Sequence, residues 1–399
     1  MPSIVPAQIK LASRIDCTSC MGCINACTHE ALSSIFDKNG YFKIIKNSKN
    51  CTECGLCTKI CPIVNPVNIR NSRSIAYAAW NENLFQRHNS ASGGIFAAVA
   101  TYILKDGGIV YGASINGFKV EHIRIDHIKD LAKLQGVKYQ LSILGNHIFK
   151  SVRRDIMSGK TVLYSGMSCQ IAALYNYLGR TSTERLITID TICGGFSTIL
   201  PMLELQSSGM YSGIMSFRDK NDGWKSHGFL YNLRMKNADG TISTLGFNNM
   251  VLRTFSTHLL KQSSCLSCQF NGVVRNSDLT IGDFWGTNLF PNEHPGGLSC
   301  VIAHNQKAID ILNNSELELH EVEIDEIAKG NSNLYWSKYP YLRHSLSRNF
   351  ALLCLRLKLN SLALKISSYT GLLSLGWRLY MRLNNLQREK YYNRNIKSN

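Results

Sequence analysis

Apolar runs of strand length alternate with amphipathic stretches along most of the chain. SIAYAAW, GGIVYGASI, TVLYSG, LITIDTIC, GIMSF, DLTIGDFWG and SCVIAHN read as short buried strands. Between them, GGIFAAVATYILK, NHIFKSVRRDIMSGK, CQIAALYNYLG and MVLRTFSTHLLK place apolar residues three and four apart, the spacing of helices that face a core. Alternation of the two predicts an α/β domain. One stretch, HGFLYNLRMKNADGTISTLGF, predicts a hairpin turning at Asp239-Gly240, so antiparallel pairing accompanies the alternation.

Both ends break this pattern. The first sixty-odd residues hold a comb of cysteines from Cys17 to Pro62, followed by IVNPVNIRNSRS, which reads as a linker. The last stretch mixes leucines with scattered bases, as basic amphipathic helices do. The expected organisation is α+β/α/β: a ferredoxin-like dicluster domain over 1–68, a mixed α/β domain over 72–340 and a helical basic tail over 341–399.

Charge sharpens the view of the tail. The formal net charge is +17, and residues 341–399 supply +10 of it, with 11 Lys and Arg against the single acid Glu389. Basicity is therefore a property of the tail. No RRM, KH or helix-turn-helix signature accompanies it, so a nucleic-acid partner is not expected. The tail could lie on an anionic membrane face, or pack on the protein with a solvated basic side. No apolar stretch reaches bilayer length, and MPSIVPAQIKLASRID lacks the regions of a signal peptide. The expectation is a cytoplasmic protein, associated with the membrane only at its inner face.

The 14 cysteines are the strongest chemical signal. Cys17, Cys20, Cys23 and Cys27 follow C-x2-C-x2-C-x3-C, and Cys51, Cys54, Cys57 and Cys61 repeat it, closed by Pro62. Three close thiolates reach three corners of a 4Fe-4S cubane, while the fourth ligates the other cluster. The pairing is crossed: Cys17, Cys20, Cys23 and Cys61 for one cluster, Cys51, Cys54, Cys57 and Cys27 for the other. Gly22 and Gly55 give the loops room, and Thr28 follows the first run where proline is usual. Doubled three-plus-one runs are not the spacing of zinc ribbons.

Six cysteines remain. Cys265 and Cys268 form a metal-grade pair, and Cys169 and Cys193 sit at predicted strand ends, where open α/β sheets gather ligands. These four could hold a third cluster; the competing readings are a free thiol at Cys169 and ordinary buried cysteines. Cys300 and Cys354 lie among apolar neighbours as core residues do.

CTECGLCTKICP from Cys51, Ser92-Gly93-Gly94-Ile95-Phe96, Gly108-Ile109-Val110-Tyr111-Gly112, Ser165-Gly166 with Cys169-Gln170, CLSCQF from Cys265 and RNSDLTIGDFWG from Arg275 together resemble the coenzyme F420 hydrogenase/dehydrogenase beta subunits. The resemblance runs from Cys17 to about Asn305. It implies 4Fe-4S clusters and FAD, a flavin-binding α/β domain, and cofactor contacts at Ser92, Gly93, Gly94, Lys138, Ser165, Gly166, Gln170, Asp283 and Trp285. The residues allow this, since Ser92-Gly93-Gly94 opening a helix offers N–H groups to a diphosphate. A glycine pair before an apolar helix also serves close packing. Asp283 and Trp285 suit a ligand pocket, or a capped turn covered by a core Trp.

Ser168, Gly194 and Leu141 depart from the family's usual proline, histidine and glutamine. Relatives act on unlike substrates, including chlorophyll-type pigments, and some resemble members of surface-polysaccharide pathways. The expectation is an iron–sulfur flavoprotein oxidoreductase: a ferredoxin-like donor supplies electrons through the clusters to FAD, and an organic small molecule is reduced. Lys225 and His227 are the catalytic candidates within FRDKNDGWKSHGF, beside Lys220 as a proton donor or anion contact and Trp224 as a stacking ring. The alternatives are a non-catalytic electron-transfer subunit of a larger oxidoreductase and a coenzyme F420-dependent reductase.

Overall fold

The computed structural model describes residues 11–67, 74–181, 183–218, 220, 223–224, 232–246, 249–256, 258–334 and 340–369. In the comb, α1 (Gly22–Ala26) and α2 (Leu56–Ile60) each follow a cysteine loop, and β1 (Leu32–Phe36) pairs antiparallel with β2 (Phe42–Lys46) between them. The two loops repeat one backbone path. Ser19 and Met21 take φ of 58° and 59°, and Glu53 and Gly55, at the matching places, take 55° and 73°. Left-handed turns of this kind fold a short loop inward around a common centre.

The α/β region is built on an eight-stranded sheet in the order β13-β3-β12-β11-β7-β6-β4-β5. Its members are β3 (Ile75–Asn81), β4 (Ile109–Asn116), β5 (Lys119–Ile125), β6 (Val162–Ser165), β7 (Leu186–Thr191), β11 (Leu279–Asp283), β12 (Ser299–Ala303) and β13 (Leu317–Val322). The centre, β4-β6-β7-β11, is parallel, and antiparallel strands flank it on both sides. Parallel strands are buried on both faces, and β6 and β7 are accordingly buried almost throughout, the polar Thr188 and Asp190 included. Helix α3 (Ile95–Lys105) covers one face; α4 (Ile148–Met157) and α5 (Ser168–Leu178) cover the other.

A smaller sheet of β8 (Tyr211–Ser216), β9 (Leu233–Asn237) and β10 (Ile242–Leu245) contains the predicted hairpin, with Gly240 at a φ of 88° in its turn. The run GIMSF belongs here and not to the main sheet. The helix predicted over MVLRTFSTHLLK is shorter: α6 (Met250–Ser256), then a 3-10 turn at His258–Leu260.

The comb is seated on the α/β region in one continuous core. Cys20, Met21, Ile24, Leu32 and Cys57 share a cluster with Tyr111, Phe149, Tyr164, Cys169 and Ala173. At Gly22 a β-carbon would stand 2.8 Å from that of Ala173 on α5. Gly22 therefore permits a helix-to-helix approach as well as a loop.

The first half of the predicted tail forms α7 (Leu346–Arg356) and α8 (Asn360–Tyr369). Ala351, Leu352, Cys354, Leu355 and Ala363 share a core with Leu259, Leu260 and Leu266, and Arg348 donates 2.8 Å to the Lys261 carbonyl. Leu346, Phe350, Leu353 and Leu357 stay exposed on the other side of α7. Residues 370–399 lie outside the described residues. No helix among the described residues is long and apolar enough to cross a membrane.

Candidate metal and cofactor sites

Twelve cysteines line three cavities. Cys17, Cys20, Cys23 and Cys61 line the first, of about 240 Å³, and Cys27, Cys51, Cys54 and Cys57 the second, of about 20 Å³. This is the crossed sorting of the two runs. Cys169, Cys193, Cys265 and Cys268, from three separate stretches of chain, line the third, of about 30 Å³. Among the described residues, no group of three or more Cys, His, Asp or Glu is arranged to hold a single metal ion. Four thiols spread around a cavity wall are the donor set of a cubane, with iron at its corners and not one ion at its centre. The residues present fit 4Fe-4S clusters.

Burial governs the thiols. It pushes Cys20 and Cys265 up to about 12 and Cys268 to about 11, and raises Cys17, Cys23, Cys57, Cys169 and Cys193 as well. Such thiols keep their protons until a metal displaces them, so loading releases protons.

Two cations flank the third cavity. Arg275, 1% exposed, is part of its wall, donating to the carbonyl of Phe270 at 3.0 Å and to Ser168 Oγ at 2.8 Å. Ser168 in turn donates to Asp190, which is fully buried, lies 3.5 Å from Arg275 and also accepts from Thr280 at 2.6 Å. Lys261, 3% exposed, donates to the Gly194 carbonyl, and its chain lies 3.3 Å from where a β-carbon on Gly195 would be. That same β-carbon would meet Cys265 at 2.7 Å, so Gly195 has to be glycine. Two backbone N–H groups point at sulfur: Gly195 at Cys193, 3.2 Å, and Phe196 at Cys265, 3.5 Å.

A fourth cavity, of about 300 Å³, opens at the carboxyl ends of β6, β7 and β11, the place where open α/β sheets bind ligands. Phe96, Leu134, Tyr139, Phe255 and Trp285 give it apolar walls, and Ser165, Gly166 and Asp283 line it with polar groups. A planar ring fits such walls. Met167, Cys193, Gly195 and Phe196 line both this pocket and the third cavity, and Thr18 lines both the third and the first.

The predicted contacts divide around this pocket. Ser92, Gly94, Lys138, Ser165, Gly166, Asp283 and Trp285 line it. Gly93 does not: its N–H is taken by Ser299 Oγ at 2.9 Å, and a β-carbon would lie 2.5 Å from the Ala79 carbonyl. The predicted diphosphate cradle is thus a close-packing device at Gly93. Gln170 stands behind the wall, bracing the start of α5 by accepting from the Met167 N–H at 3.0 Å. Lys138 donates to the carbonyls of Leu134 and Gln135, both at 2.7 Å, and its burial lowers its pKa to about 7. Asp283 holds Arg218 in an ion pair of 2.9 Å and accepts from Trp224 at 3.1 Å.

Two expectations fail here. Lys220 is buried beneath Ser92, donating to the carbonyls of Arg87, Ser92 and Gly296, so it is a brace and not a proton donor. Trp224 stacks on Trp285 at 5.2 Å and does not itself line the ring pocket, so it backs the wall that Trp285 forms. Lys225 and His227 lie outside the described residues. Sequence reasoning misses His122. Its Nε2–H donates to the Ser165 carbonyl at 2.8 Å and Ser142 donates to Nδ1 at 2.7 Å, while burial lowers its pKa to about 4. It misses Asp190 as well, although a carboxylate inside the apolar run LITIDTIC is a visible signal.

Residues 159–328 match the family model for the C terminus of the coenzyme F420 hydrogenase/dehydrogenase beta subunit, and residues 16–64 match a 4Fe-4S dicluster domain. Residues 159–328 belong to the F420 hydrogenase/dehydrogenase beta-subunit family. The ketoisovalerate oxidoreductase subunit VorC of Methanothermobacter marburgensis is 30% identical over 63 residues, 15% of this chain and 80% of that protein. A chain of the F420-reducing [NiFe] hydrogenase complex from Methanosarcina barkeri aligns with a TM-score of 0.44 at 17% identity, covering 77% of this chain and 93% of that one. As a family member with the comb intact, the protein is an iron–sulfur oxidoreductase component that transfers electrons, with two 4Fe-4S clusters in its N-terminal domain.

Proposed function

We propose that this beta-subunit relative is an iron–sulfur flavoprotein that takes electrons from a ferredoxin-like donor and reduces an organic small molecule at the ring pocket, with FAD as the ring. The observation that carries this reading is the shared walls. Thr18 joins the first thiol cavity to the third, and Met167, Cys193, Gly195 and Phe196 join the third to the ring pocket. Cys169, Cys193, Cys265 and Cys268 hold a third 4Fe-4S cluster on this reading. Clusters supply single electrons, and a bound flavin turns that supply into two-electron chemistry.

The chain's own residues prepare the pocket. His122, neutral and hydrogen-bonded at both nitrogens, fixes the Ser165 carbonyl at the end of β6. The Arg218 to Asp283 pair and the Trp224 to Trp285 stack close the side at β11. Only the sequence resemblance supports a substrate from surface-polysaccharide assembly. The test is anaerobic purification with iron, acid-labile sulfide and flavin measured on one sample. About twelve iron atoms per chain and one flavin support the reading, and about eight with no flavin removes it. A second reading, an electron-transfer subunit whose active site lies in a partner, draws on the name of the VorC relative, itself a subunit of an oxidoreductase. Oxidation of a reduced low-potential dye by an organic acceptor with the purified chain alone separates the two.

A further inference from the structure

The three thiol cavities differ in the charges around them. Beside the first and second stand Arg14, Lys43 and Lys46, all exposed, where water and salt screen a charge within about 10 Å. Beside the third stand Lys261 and Arg275, at 3% and 1% exposure. A charge acts several times more strongly in a protein interior than in water. Asp190 offsets part of this: it is fully buried and 3.5 Å from Arg275, so the three groups together carry one net positive charge. The N–H groups of Gly195 and Phe196 act in the same direction, toward sulfur.

Four thiolates around a cubane make a negative centre, and reduction adds one more negative charge. Nearby positive charge and N–H donors favour the reduced state and raise the potential. We propose that Lys261 and Arg275, opposed by Asp190, hold the Cys169, Cys193, Cys265 and Cys268 site at a higher reduction potential than the two comb sites, which sets electron flow inward toward the ring pocket. The inference rests on the third cluster proposed above. The transfer moves one electron from comb to interior, and no bond forms or breaks. Lys261 and Arg275 act as positioning residues by charge and touch no reacting atom of the substrate.

The test is redox titration of the full-length protein, purified anaerobically, followed by electron paramagnetic resonance. In the wild type one cluster is reduced at a less negative potential than the other two. Lys261→Met moves that cluster alone to a more negative potential, Lys261→Arg leaves it in place, and Asp190→Asn moves it the opposite way. A merely structural role predicts no such reversal of sign. Were Lys261→Met not to fold, Asp190→Asn against Lys261→Arg still decides the sign. The proposal is overturned if no potential moves, if all three move together, or if Asp190→Asn and Lys261→Met shift in the same direction. Iron content that is unchanged in Cys268→Ser removes the third cluster itself, an outcome distinct from unshifted potentials.

Discussion

The comb and the interior four-cysteine site use the same thiols and are built in opposite ways. In the comb, local sequence does the work: two repeated loops with left-handed residues at matching places gather their cysteines within short stretches. The interior site collects Cys169 from the start of α5, Cys193 from beyond β7, Cys265 from the short helix Ser263–Leu266 and Cys268 from just beyond that helix. Only the folded sheet brings them together. The comb also leaves Cys54 exposed, whereas Cys169 is buried and the other three interior thiols are partly so. A thiol site at the surface can be assembled by a short module, but one beside the pocket at β6, β7 and β11 is assembled by the domain that forms that pocket.

The largest test of this difference is loss of one ligand on each side. Cys268→Ser is expected to lower iron from about twelve to about eight atoms per chain and to abolish transfer to an organic acceptor, while the comb's signals persist. Cys20→Ser should disturb the comb and leave the interior iron in place. If either substitution empties both regions, the two are one cooperative unit and the contrast fails.

Next in size is the seam between them. Gly22→Val forces a side chain into the 2.8 Å approach to Ala173, and overpacking of this kind costs about 1–3 kcal/mol. Chemical denaturation should show a lower midpoint, and limited proteolysis should release the comb before the sheet is cut. An unchanged midpoint would mean that the core shared by Met21, Ile24 and Ala173 contributes little to docking.

The same contrast explains what could be read from sequence. The comb was legible because ligand spacing is a local property, and the crossed sorting follows from it. The central strands were legible because parallel strands buried on both faces are continuous apolar runs. Edge strands were not: β5, KVEHIRI, carries Lys119, Glu121 and Arg124, and β1 and β2 are half exposed. The supports of the pocket were least legible. Lys220 and Trp224 were candidates by residue type, yet their roles depend on the carbonyl of Ser92 and the ring of Trp285, far away in sequence. Arg275 lay within a quoted motif, but its charge gained meaning only beside Cys193 and Cys268.

Acid should weaken the α/β region through its buried histidines. His122 and His304 are held neutral by burial, with pKa values lowered to about 4 and about 3. Both values are depressed from 6.5, so their contribution is complete above pH 6.5 and is lost as pH falls through 4 and 3. For His122 the difference amounts to at most about 3 kcal/mol. Urea midpoints at about pH 7, 5.5 and 4.5 should fall more steeply in the wild type than in His122→Gln. Parallel curves would show that His122 keeps its ordinary pKa in the fold.

The smallest expected effect concerns the outer end of the comb, the entry point for electrons on the proposed route. Cys54 is exposed, its cavity is lined by His29 and Lys46 with no carboxylate, and Lys49 and Lys59 stand exposed nearby, with Glu53 as an opposing charge. Redox encounters are small, and charge tunes their association rate more than their affinity. Changing Lys46, Lys49 and Lys59 together to Glu should slow reduction by an acidic ferredoxin several-fold at low salt, and the gap to the wild type should close as ionic strength rises. A neutral dye as reductant controls for damage to the clusters, since its rate carries no such dependence. Equal slowing with dye and ferredoxin would place the fault in the comb's iron. Full-speed reduction by ferredoxin at every salt concentration would move the entry point away from Cys54, and the comb would then be reached from another side.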